Sequence, residues 1–176
     1  MKRLTKIQAY PTESFFAFGV TANDSAAIRQ LFHIKKREPW KPIALVAANL
    51  AQVETFFVLN EKERALAKQH WPGPLTLLLQ PKSTINAKAL GAKKIGVRVP
   101  SHSVARSLAK KLGAPITATS ANRSGEPPTK SRRALKREFP DILIVPGRCG
   151  RQSQPSTIID VRGAELHIIR QGSVHV

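Results

Sequence analysis

The residues that follow segment 115–118 carry the first side chains that could do chemistry. That segment is short, apolar and β-branched, which predicts a buried strand, and Ser120, Asn122 and Arg123 follow it in a loop. Ligands of open α/β sheets bind beyond the carboxyl ends of strands, where hydroxyl, amide and backbone N–H donors suit a phosphate or another oxyanion. The alternative is an ordinary polar turn whose side chains bond their own backbone.

Two cations, Lys35 and Arg37, follow a predicted helix. Asn23 or Asp24 begins that helix, and Pro39 is too close for the helix to continue far beyond the cations. Both cations are therefore expected in a loop, where a lysine point charge beside a planar arginine fork makes a phosphate clamp. The alternative is a solvated basic loop. As loop positions, both should be replaceable with little change in thermal stability.

Further polar side chains stand at the ends of other predicted strands. Thr12 follows the first strand, Ser156 precedes a later one, and Arg170 closes the last. Arg98 lies inside the apolar strand at 95–99, where a charge needs a partner. It either faces a site or forms a structural ion pair, and the sequence leaves both possibilities open.

Several kinds of catalytic site are excluded. The sequence contains no Walker P-loop and no GxGxxG motif after a strand. The five histidines have no metal-ligand spacing and Cys149 is the only cysteine, so no metal site is predicted. Strand-end hydroxyls with arginine and lysine suit the positioning and charge neutralisation of phosphates, without a nucleophilic side chain.

Length, charge and cysteine content limit which classes of protein this chain can belong to. The 176 residues predict a single domain spanning 1–176. Lys plus Arg is 29 and Asp plus Glu is 11, so the net charge is +18, which favours polyanionic partners such as nucleic acid or phosphorylated substrates. No apolar run approaches the roughly 20 residues of a membrane span, and the lone cysteine favours a cytoplasmic setting.

Strand and helix signals are intermixed without strict alternation, which predicts an α/β fold with a twisted mixed sheet flanked by helices. Asn60 and Glu63 form a capping-box pattern at the start of one helix. Ser101 and Thr129 are the expected N-caps of two later helices, and Gly113 is the expected C′ residue of the first of these.

Seven short motifs, in this order, resemble the YrdC-like threonylcarbamoyl-AMP synthase family in its short, single-domain bacterial form. Each motif alone is weak evidence, but seven in the family's order are specific, and together they span about Ala9 to Gly172. They are Tyr10-Pro11-Thr12-Glu13, Lys35-x-Arg37, Trp71-Pro72-Gly73-Pro74-Leu75-Thr76, Val97-Arg98-Val99-Pro100, Thr119-Ser120-Ala121-Asn122-x-Ser124-Gly125, Pro155-Ser156-Thr157-Ile158 and Arg170-Gln171-Gly172.

The resemblance implies a basic concave cleft and an enzyme that uses L-threonine, bicarbonate and ATP with Mg²⁺. The products would be threonylcarbamoyl-AMP and pyrophosphate. A downstream threonylcarbamoyl-transferase complex would then modify the adenosine next to the anticodon of certain tRNAs. The implied nucleotide-binding residues, of which the first two are also catalytic, are Lys35, Arg37, Ser120, Asn122 and Arg170. The implied threonine-binding residues are Thr12, Arg98 and Ser156, with Arg98 on the carboxylate.

A second hypothesis uses the same charge without catalysis. The chain would then be a double-stranded RNA or tRNA-binding protein, such as a ribosome-maturation factor. The net charge of +18 supports both hypotheses, whereas the spacing of arginines and hydroxyls supports only the enzyme. Aromatic residues make up 6% of the chain and form no cluster for base stacking, which disfavours a sequence-specific RNA reader.

Overall fold

A computed structural model describes residues 6–163 and 165–175 of the chain. Within these ranges it contains ten strands, five α-helices and one 3₁₀ helix. The strands are β1 (Gln8–Pro11), β2 (Phe16–Gly19), β3 (Ala44–Val46), β4 (Phe57–Val58), β5 (Leu75–Pro81), β6 (Ile95–Arg98), β7 (Ile116–Ser120), β8 (Leu143–Ile144), β9 (Thr157–Arg162) and β10 (Glu165–Arg170). The helices are α1 (Ser25–Lys35), α2 (Leu50–Phe56), α3 (Glu61–His70), α4 (Ser103–Lys111) and α5 (Arg132–Glu138), and the 3₁₀ helix is Ala87–Leu90.

The strands form a mixed sheet in the order β10-β9-β5-β6-β3-β7-β2-β1-β8, and β4 pairs with β5 off this path. Strand β3 runs parallel to β6 and β9 runs parallel to β5, whereas β5 and β6 are antiparallel. The predicted α/β fold with a mixed sheet is therefore confirmed. Leu75, Leu77 and Val97 of the central strands β5 and β6 are fully buried and belong to the main hydrophobic core.

The predicted N-caps of α1 and α3 and the predicted glycine after α4 are present in the structure. Asp24 accepts a hydrogen bond from the Ala27 amide at 3.0 Å and begins α1. Asn60 and Glu63 form the predicted capping box of α3, and Gly113 follows α4 with a positive φ of 70°.

Two predicted N-caps are wrong. The N-cap of α4 is His102, which makes no side-chain cap bond. Ser101, the predicted cap, lies one residue earlier, and its hydroxyl donates to Glu13. The residue that caps α5 is Ser131, whose hydroxyl accepts from the Ala134 amide, so α5 begins later than a cap at Thr129 would place it.

Tyr10 fixes the strands that lead into the site. Its ring is fully buried, and its hydroxyl donates to the Thr117 carbonyl at 2.8 Å, which joins β1 to β7 across β2. A Cβ at Gly19 would lie 2.8 Å from the Tyr10 ring, so the position between these strands has room only for glycine. The ends of β1 and β7 are thereby held near each other. Among the described residues, no helix is long and apolar enough to cross a membrane.

Candidate functional site

Four neighbouring strands place polar side chains next to one another. Arg170 of β10 lies opposite Ile158 of β9, and Ile158 lies opposite Thr76 of β5. The antiparallel register of β5 and β6 then sets Thr76 beside Arg98. Thr76, Arg98, Ile158 and Arg170 line a cavity of about 360 Å³. The sheet thus gathers residues that are far apart in the chain.

Half of the predicted site residues line this cavity: Arg37, Arg98, Ser156 and Arg170. The other four lie next to the lining residues without lining the cavity themselves: Thr12, Lys35, Ser120 and Asn122. Thr12 and Ser120 are the chain neighbours of the lining residues Glu13 and Thr119, and Lys35 and Asn122 are hydrogen-bonded to Ser120.

Arg98 forms a forked ion pair with Glu13. Its two terminal nitrogens donate to Glu13 Oε1 at 3.1 Å and to Oε2 at 3.2 Å. Oε1 also accepts hydrogen bonds from the Ser101 hydroxyl and the His102 amide. Burial acts to raise the pKa of Glu13, but Arg98 and the hydrogen bonds outweigh it and hold that pKa below its ordinary value. Arg98 therefore faces the cavity and also forms an ion pair, which the sequence had offered as alternatives.

Ser156 and Arg170 form a second polar group in the cavity wall. The Arg170 guanidinium donates to the Ser156 carbonyl at 2.8 Å and to the Ser156 hydroxyl at 3.1 Å. That hydroxyl also lies 2.9 Å from the hydroxyl of Thr76. These bonds tie β5 and β10 to the residue that precedes β9, so the Ser156 hydroxyl is held in position in the cavity wall.

Lys35 is buried and all its donors are used within the protein. Its Nζ donates to the Ser120 carbonyl at 2.5 Å, to the Asn122 carbonyl at 2.7 Å and to Asn122 Oδ1 at 3.2 Å. Burial and the nearby Arg37 lower the pKa of Lys35 to about 8, against the opposing effect of Glu138. The expectation that Lys35 lies in a loop is wrong, because Lys35 is the buried last residue of α1 and joins that helix to the end of β7 and to Asn122.

The loop after β7 is held by its own side chains as well as by Lys35. The Ser120 hydroxyl donates to Asn122 Oδ1 at 2.6 Å, and the Asn122 amide group donates to the carbonyl of Glu126. The amide of Ser124 donates to the Lys35 carbonyl at 2.7 Å. The interpretation as a locally bonded polar turn therefore describes the present hydrogen bonds, and the loop has one fixed shape beside Thr119 at the cavity.

Arg37 stands between two cavities. Its side chain donates to the carbonyls of Lys41 and Pro42 at 3.2 and 2.9 Å, which orients it along the loop after α1. On one side it lines the cavity that contains Arg98, and on the other it lines a larger cavity of about 960 Å³, which is lined by α1, the 3₁₀ helix and the chain at and after the end of α5. Arg123, from the polar segment after β7, also lines the larger cavity.

Segment 147–156 closes one side of the smaller cavity. The Gly150 amide donates to the Thr12 carbonyl at 2.8 Å, and the Gln152 amide donates to the Glu13 carbonyl at 3.0 Å. A Cβ at Gly150 would lie 2.4 Å from the Glu13 carbonyl oxygen, so the close approach requires glycine. The Thr12 hydroxyl itself donates to the Phe15 carbonyl at 2.7 Å, which holds the turn after β1.

Sequence reasoning did not assign several residues that line the cavity. Glu13 and Thr76 line the cavity and belong to two of the seven motifs, but the sequence assigned neither of them a function. Thr119 belongs to the polar segment after β7, and its position at the cavity follows from the alternation of side chains along the strand. Nothing in the sequence predicted that Gln152 lines the cavity, because its position depends on how segment 147–156 packs against the residues after β1.

A family profile described as "Telomere recombination" (Sua5, YciO, YrdC) matches residues 3–172. The chain belongs to the Sua5/YciO/YrdC family. The match covers nearly the whole sequence, which confirms the resemblance that the seven motifs indicated.

Curated members of the Sua5/YciO/YrdC family are similar to this chain over most of its length. The threonylcarbamoyl-AMP synthase of Neisseria gonorrhoeae is 38% identical over 156 residues, which cover 86% of this chain and 82% of that protein. The threonylcarbamoyl-AMP synthase of Chromobacterium violaceum is 37% identical over 161 residues, which cover 90% of this chain and 83% of that protein.

Solved structures of the Sua5/YciO/YrdC family share the fold. P. abyssi Sua5 complexed with L-threonine matches with a TM-score of 0.85 and 32% identity, over 97% of this chain and 51% of that chain. E. coli YciO matches with a TM-score of 0.79 and 26% identity, over 97% of this chain and 84% of that chain. This chain thus spans about half of P. abyssi Sua5 and most of YciO.

Proposed function

We propose that this chain is a threonylcarbamoyl-AMP synthase. The observation that carries the proposal is the cavity in which Arg37, Arg98 and Arg170 converge with Ser156. Three guanidinium groups at one small cavity suit a reaction between anions. The identity of 36–38% to threonylcarbamoyl-AMP synthases over most of the chain supports the same activity. The substrates are L-threonine, bicarbonate and ATP.

The chemistry joins two negatively charged reactants. The unprotonated amine of threonine first combines with bicarbonate, and water leaves, to give the N-carbamate. An oxygen of that carbamate group attacks the α-phosphorus of ATP, the bond from that phosphorus to the bridging oxygen breaks, and pyrophosphate leaves with the electron pair. Positive side chains reduce the repulsion between the reactants, and fixed hydroxyls orient them. In this scheme Arg37 and Arg170 hold phosphates, while Arg98 holds the threonine carboxylate and Thr12 and Ser156 shape the threonine site.

In this scheme Lys35 does not bind the phosphates directly. Its Nζ is bonded to Ser120 and Asn122, so it fixes the loop that would meet the nucleotide. Phosphates can then be bound by the hydroxyl and amide groups of that loop and by Arg37. The ammonium adds positive charge from beneath the loop, at a place where water is excluded.

Magnesium enters the scheme as part of the substrate Mg·ATP. Among the described residues there is no group of three or more His, Cys, Asp or Glu side chains that could hold a metal ion. Phosphate oxygens and water are the usual ligands of Mg²⁺ in nucleotide complexes. The ion would therefore be held mainly by ATP, while the arginines of the protein bind the remaining phosphate oxygens.

The direct test of the proposal is a pyrophosphate assay. The purified chain should release pyrophosphate from ATP in the presence of Mg²⁺, bicarbonate and L-threonine, and omission of threonine should abolish the release. L-2-Aminobutyrate, which differs from threonine only in lacking the hydroxyl, is the matched control substrate and should give much less product. Equal release with and without threonine would refute the synthase assignment and leave the RNA-binding hypothesis in its place.

The product determines the kind of partner that the enzyme needs. Threonylcarbamoyl-AMP is an activated mixed anhydride, so a transferase must take the threonylcarbamoyl group before water does. We propose that a threonylcarbamoyl-transferase complex uses it to modify the adenosine next to the anticodon of tRNA. The lone Cys149 favours a cytoplasmic setting for both steps.

RNA binding is the second candidate function, and the surface of α5 favours it. Arg132, Arg133, Lys136 and Arg137 are all exposed on this short helix. We expect tRNA to bind weakly, without sequence preference, and with an affinity that falls steeply as salt rises, because the binding releases counterions. Replacing Arg133 and Arg137 by glutamine should make the slope of log affinity against log salt less negative by about 1 to 2. Filter binding from low to physiological salt measures it.

The control for the RNA experiment is a pair of lysines on another helix. Lys110 and Lys111 are exposed near the end of α4, and their replacement by glutamine changes the net charge by the same amount. An equal change of slope in both double variants would mean that charge alone governs binding and that α5 has no special role. Binding that is insensitive to salt would contradict the prediction.

A further inference from the structure

Thr157 has a buried hydroxyl to which the scheme above gives no role. The residue begins β9 and stands between Ser156 and Ile158, which line the cavity of about 360 Å³, but it does not line that cavity itself. It is fully buried, and its hydroxyl donates to the Val174 carbonyl at 2.7 Å and accepts from the amides of Gly172 and Val174 at 3.0 Å each. A hydroxyl has one proton and two lone pairs, so this one makes every hydrogen bond that it can. Thr157 therefore fixes the chain that follows β10 to the start of β9.

The chain that follows β10, residues 171–174, also packs closely against the residues before β9. A Cβ at Gly172 would overlap the Pro155 carbonyl oxygen, so this close approach requires glycine. The Ser173 amide donates to the same carbonyl at 3.3 Å. Arg170, the last residue of β10, is thus followed at once by a segment that is held at several points.

The direction of Arg170 depends on an extra residue in β10. Ile168 of β10 lies opposite Ile159 of β9, but Arg170 lies opposite Ile158, so two residues of β10 face one residue of β9. An extra residue of this kind, a β-bulge, bends its strand and re-aims the side chains beside it, and bulges are common next to active sites. The bulge precedes Arg170, and the segment held by Thr157 follows it. The backbone on both sides of this arginine is thus constrained.

We propose that Thr157 is a positioning residue for the synthase reaction, which holds segment 171–174 so that Arg170 meets the phosphates of ATP. The inference rests on the proposed function, in which Arg170 binds phosphate. The guanidinium of Arg170 donates to Ser156, the residue before Thr157. The hydroxyl of Thr157 therefore fixes the chain on both sides of this contact.

The position of Arg170 in the sheet makes this support necessary. Arg170 is exposed and ends a strand at one edge of the sheet that the described residues form, so strand pairing holds it from one side only. A ligand that must first order a long side chain binds more weakly, because the lost freedom of that side chain opposes binding. The hydrogen bonds of Thr157 restrict the backbone next to Arg170 before ATP binds. ATP would then meet a guanidinium whose backbone is already fixed.

The test removes the hydroxyl of Thr157 and keeps the size of the side chain. Thr157→Val is also β-branched, but it leaves the amides of Gly172 and Val174 without their acceptor. We expect kcat/KM for ATP to fall by at least about tenfold, since a substrate-holding group displaced by about 1 Å can cost about a hundredfold. Thr157→Ser keeps the hydroxyl and should retain most of the wild-type value. The pyrophosphate assay with varied ATP measures all three proteins.

A double substitution tests whether Thr157 acts through Arg170. If it does, the variant with both Thr157→Val and Arg170→Ala should bind a non-hydrolysable ATP analogue no more weakly than Arg170→Ala alone. Losses of affinity that multiply in the double variant would overturn the proposal. Gly172→Ala displaces the same segment without touching the core, so the test does not depend on the folding of Thr157→Val. A wild-type kcat/KM for ATP in Gly172→Ala would also contradict the proposal.

The matched control is Thr117, another threonine with a buried hydroxyl. It is fully buried, its hydroxyl donates to the Phe18 carbonyl at 3.0 Å and accepts from the Val20 amide at 3.1 Å, and it does not line the cavity. Thr117→Val should lower the melting temperature while leaving kcat/KM for ATP at its wild-type value. An equal fall of kcat/KM in Thr117→Val and Thr157→Val would overturn the proposal, because a general loss of stability would explain both.

The wild-type protein separates a failure of this inference from a failure of the proposed function. Without threonine-dependent pyrophosphate release from the wild-type protein, the proposed function fails and this inference fails with it. If the wild-type protein is active and Thr157→Val has the same kcat/KM for ATP, the inference alone fails.

Discussion

Replacing Lys35 by alanine should lower the melting temperature by about 10 °C and should abolish most of the synthase activity. The substitution removes the donor that the carbonyls of Ser120 and Asn122 share; the Ser120 carbonyl still accepts from the Asn122 amide, whereas the Asn122 carbonyl loses its hydrogen bond to Lys35. An unsatisfied buried polar group costs about 1–3 kcal/mol, and each kcal/mol shifts the melting temperature of a chain of this size by about 2–4 °C. Calorimetry and the pyrophosphate assay measure the two effects.

The neighbouring cations are the controls for this experiment. Lys36 is exposed, so Lys36→Ala should leave both the melting temperature and the activity near their wild-type values. Arg37 is half-buried, and its side chain donates to carbonyls of its own loop, so Arg37→Ala should weaken ATP binding with a small change in melting temperature. A Lys35→Ala variant that melts like the wild type would show that the bonds to the loop after β7 contribute little.

The contrast between Lys35 and its neighbours could not be predicted from the sequence. Lys35, Lys36 and Arg37 are consecutive cations, and each is compatible with a solvated loop. Lys35 is buried because Ser120 at the end of β7 and Asn122 just after it, 85 and 87 positions further along the chain, bring two carbonyls to its ammonium. Tertiary contacts of this kind leave no local pattern.

Features that depend on local chemistry were predicted well. Asp24 and the Asn60–Glu63 box begin their helices as expected, because a cap needs only residues within one turn. The caps at Ser101 and Thr129 were wrong for opposite reasons. A distant carboxylate takes the hydroxyl of Ser101, whereas Ser131 was simply a better-placed cap near Thr129.

The candidate site was predicted in part, because strand ends are visible in the sequence and strand neighbours are not. Ser156 and Arg170 were placed at strand ends and Arg98 inside a strand, and the sheet brings all three to one cavity. The partner of Arg98 was not predicted, since Glu13 follows the first strand and reaches Arg98 only after β1 and β6 are set in the sheet. The sequence showed that a charge at 98 needed a partner, but not which residue it was.

Replacing Arg98 by lysine should weaken threonine binding by about ten- to a hundredfold while leaving ATP affinity nearly unchanged. The guanidinium fork can meet a carboxylate with two parallel hydrogen bonds, and an ammonium group cannot reproduce that geometry. The loss of one charge-assisted bond corresponds to roughly 1.5–3 kcal/mol, from which the factor follows. Titration with threonine and with a non-hydrolysable ATP analogue gives the two affinities.

The ion pair with Glu13 makes the melting temperature of Arg98→Lys the decisive second measurement. Lysine keeps a positive charge opposite Glu13, so we expect the melting temperature to fall by only a few degrees. If Arg98 served the fold alone, the variant would melt much earlier, with threonine affinity intact in the folded protein. Arg106→Lys is the matched control, because Arg106 donates to the carbonyls of Pro100 and Ser101 and does not line the cavity. A fall in threonine affinity in Arg98→Lys that Arg106→Lys does not share would place the guanidinium of Arg98 on the substrate carboxylate.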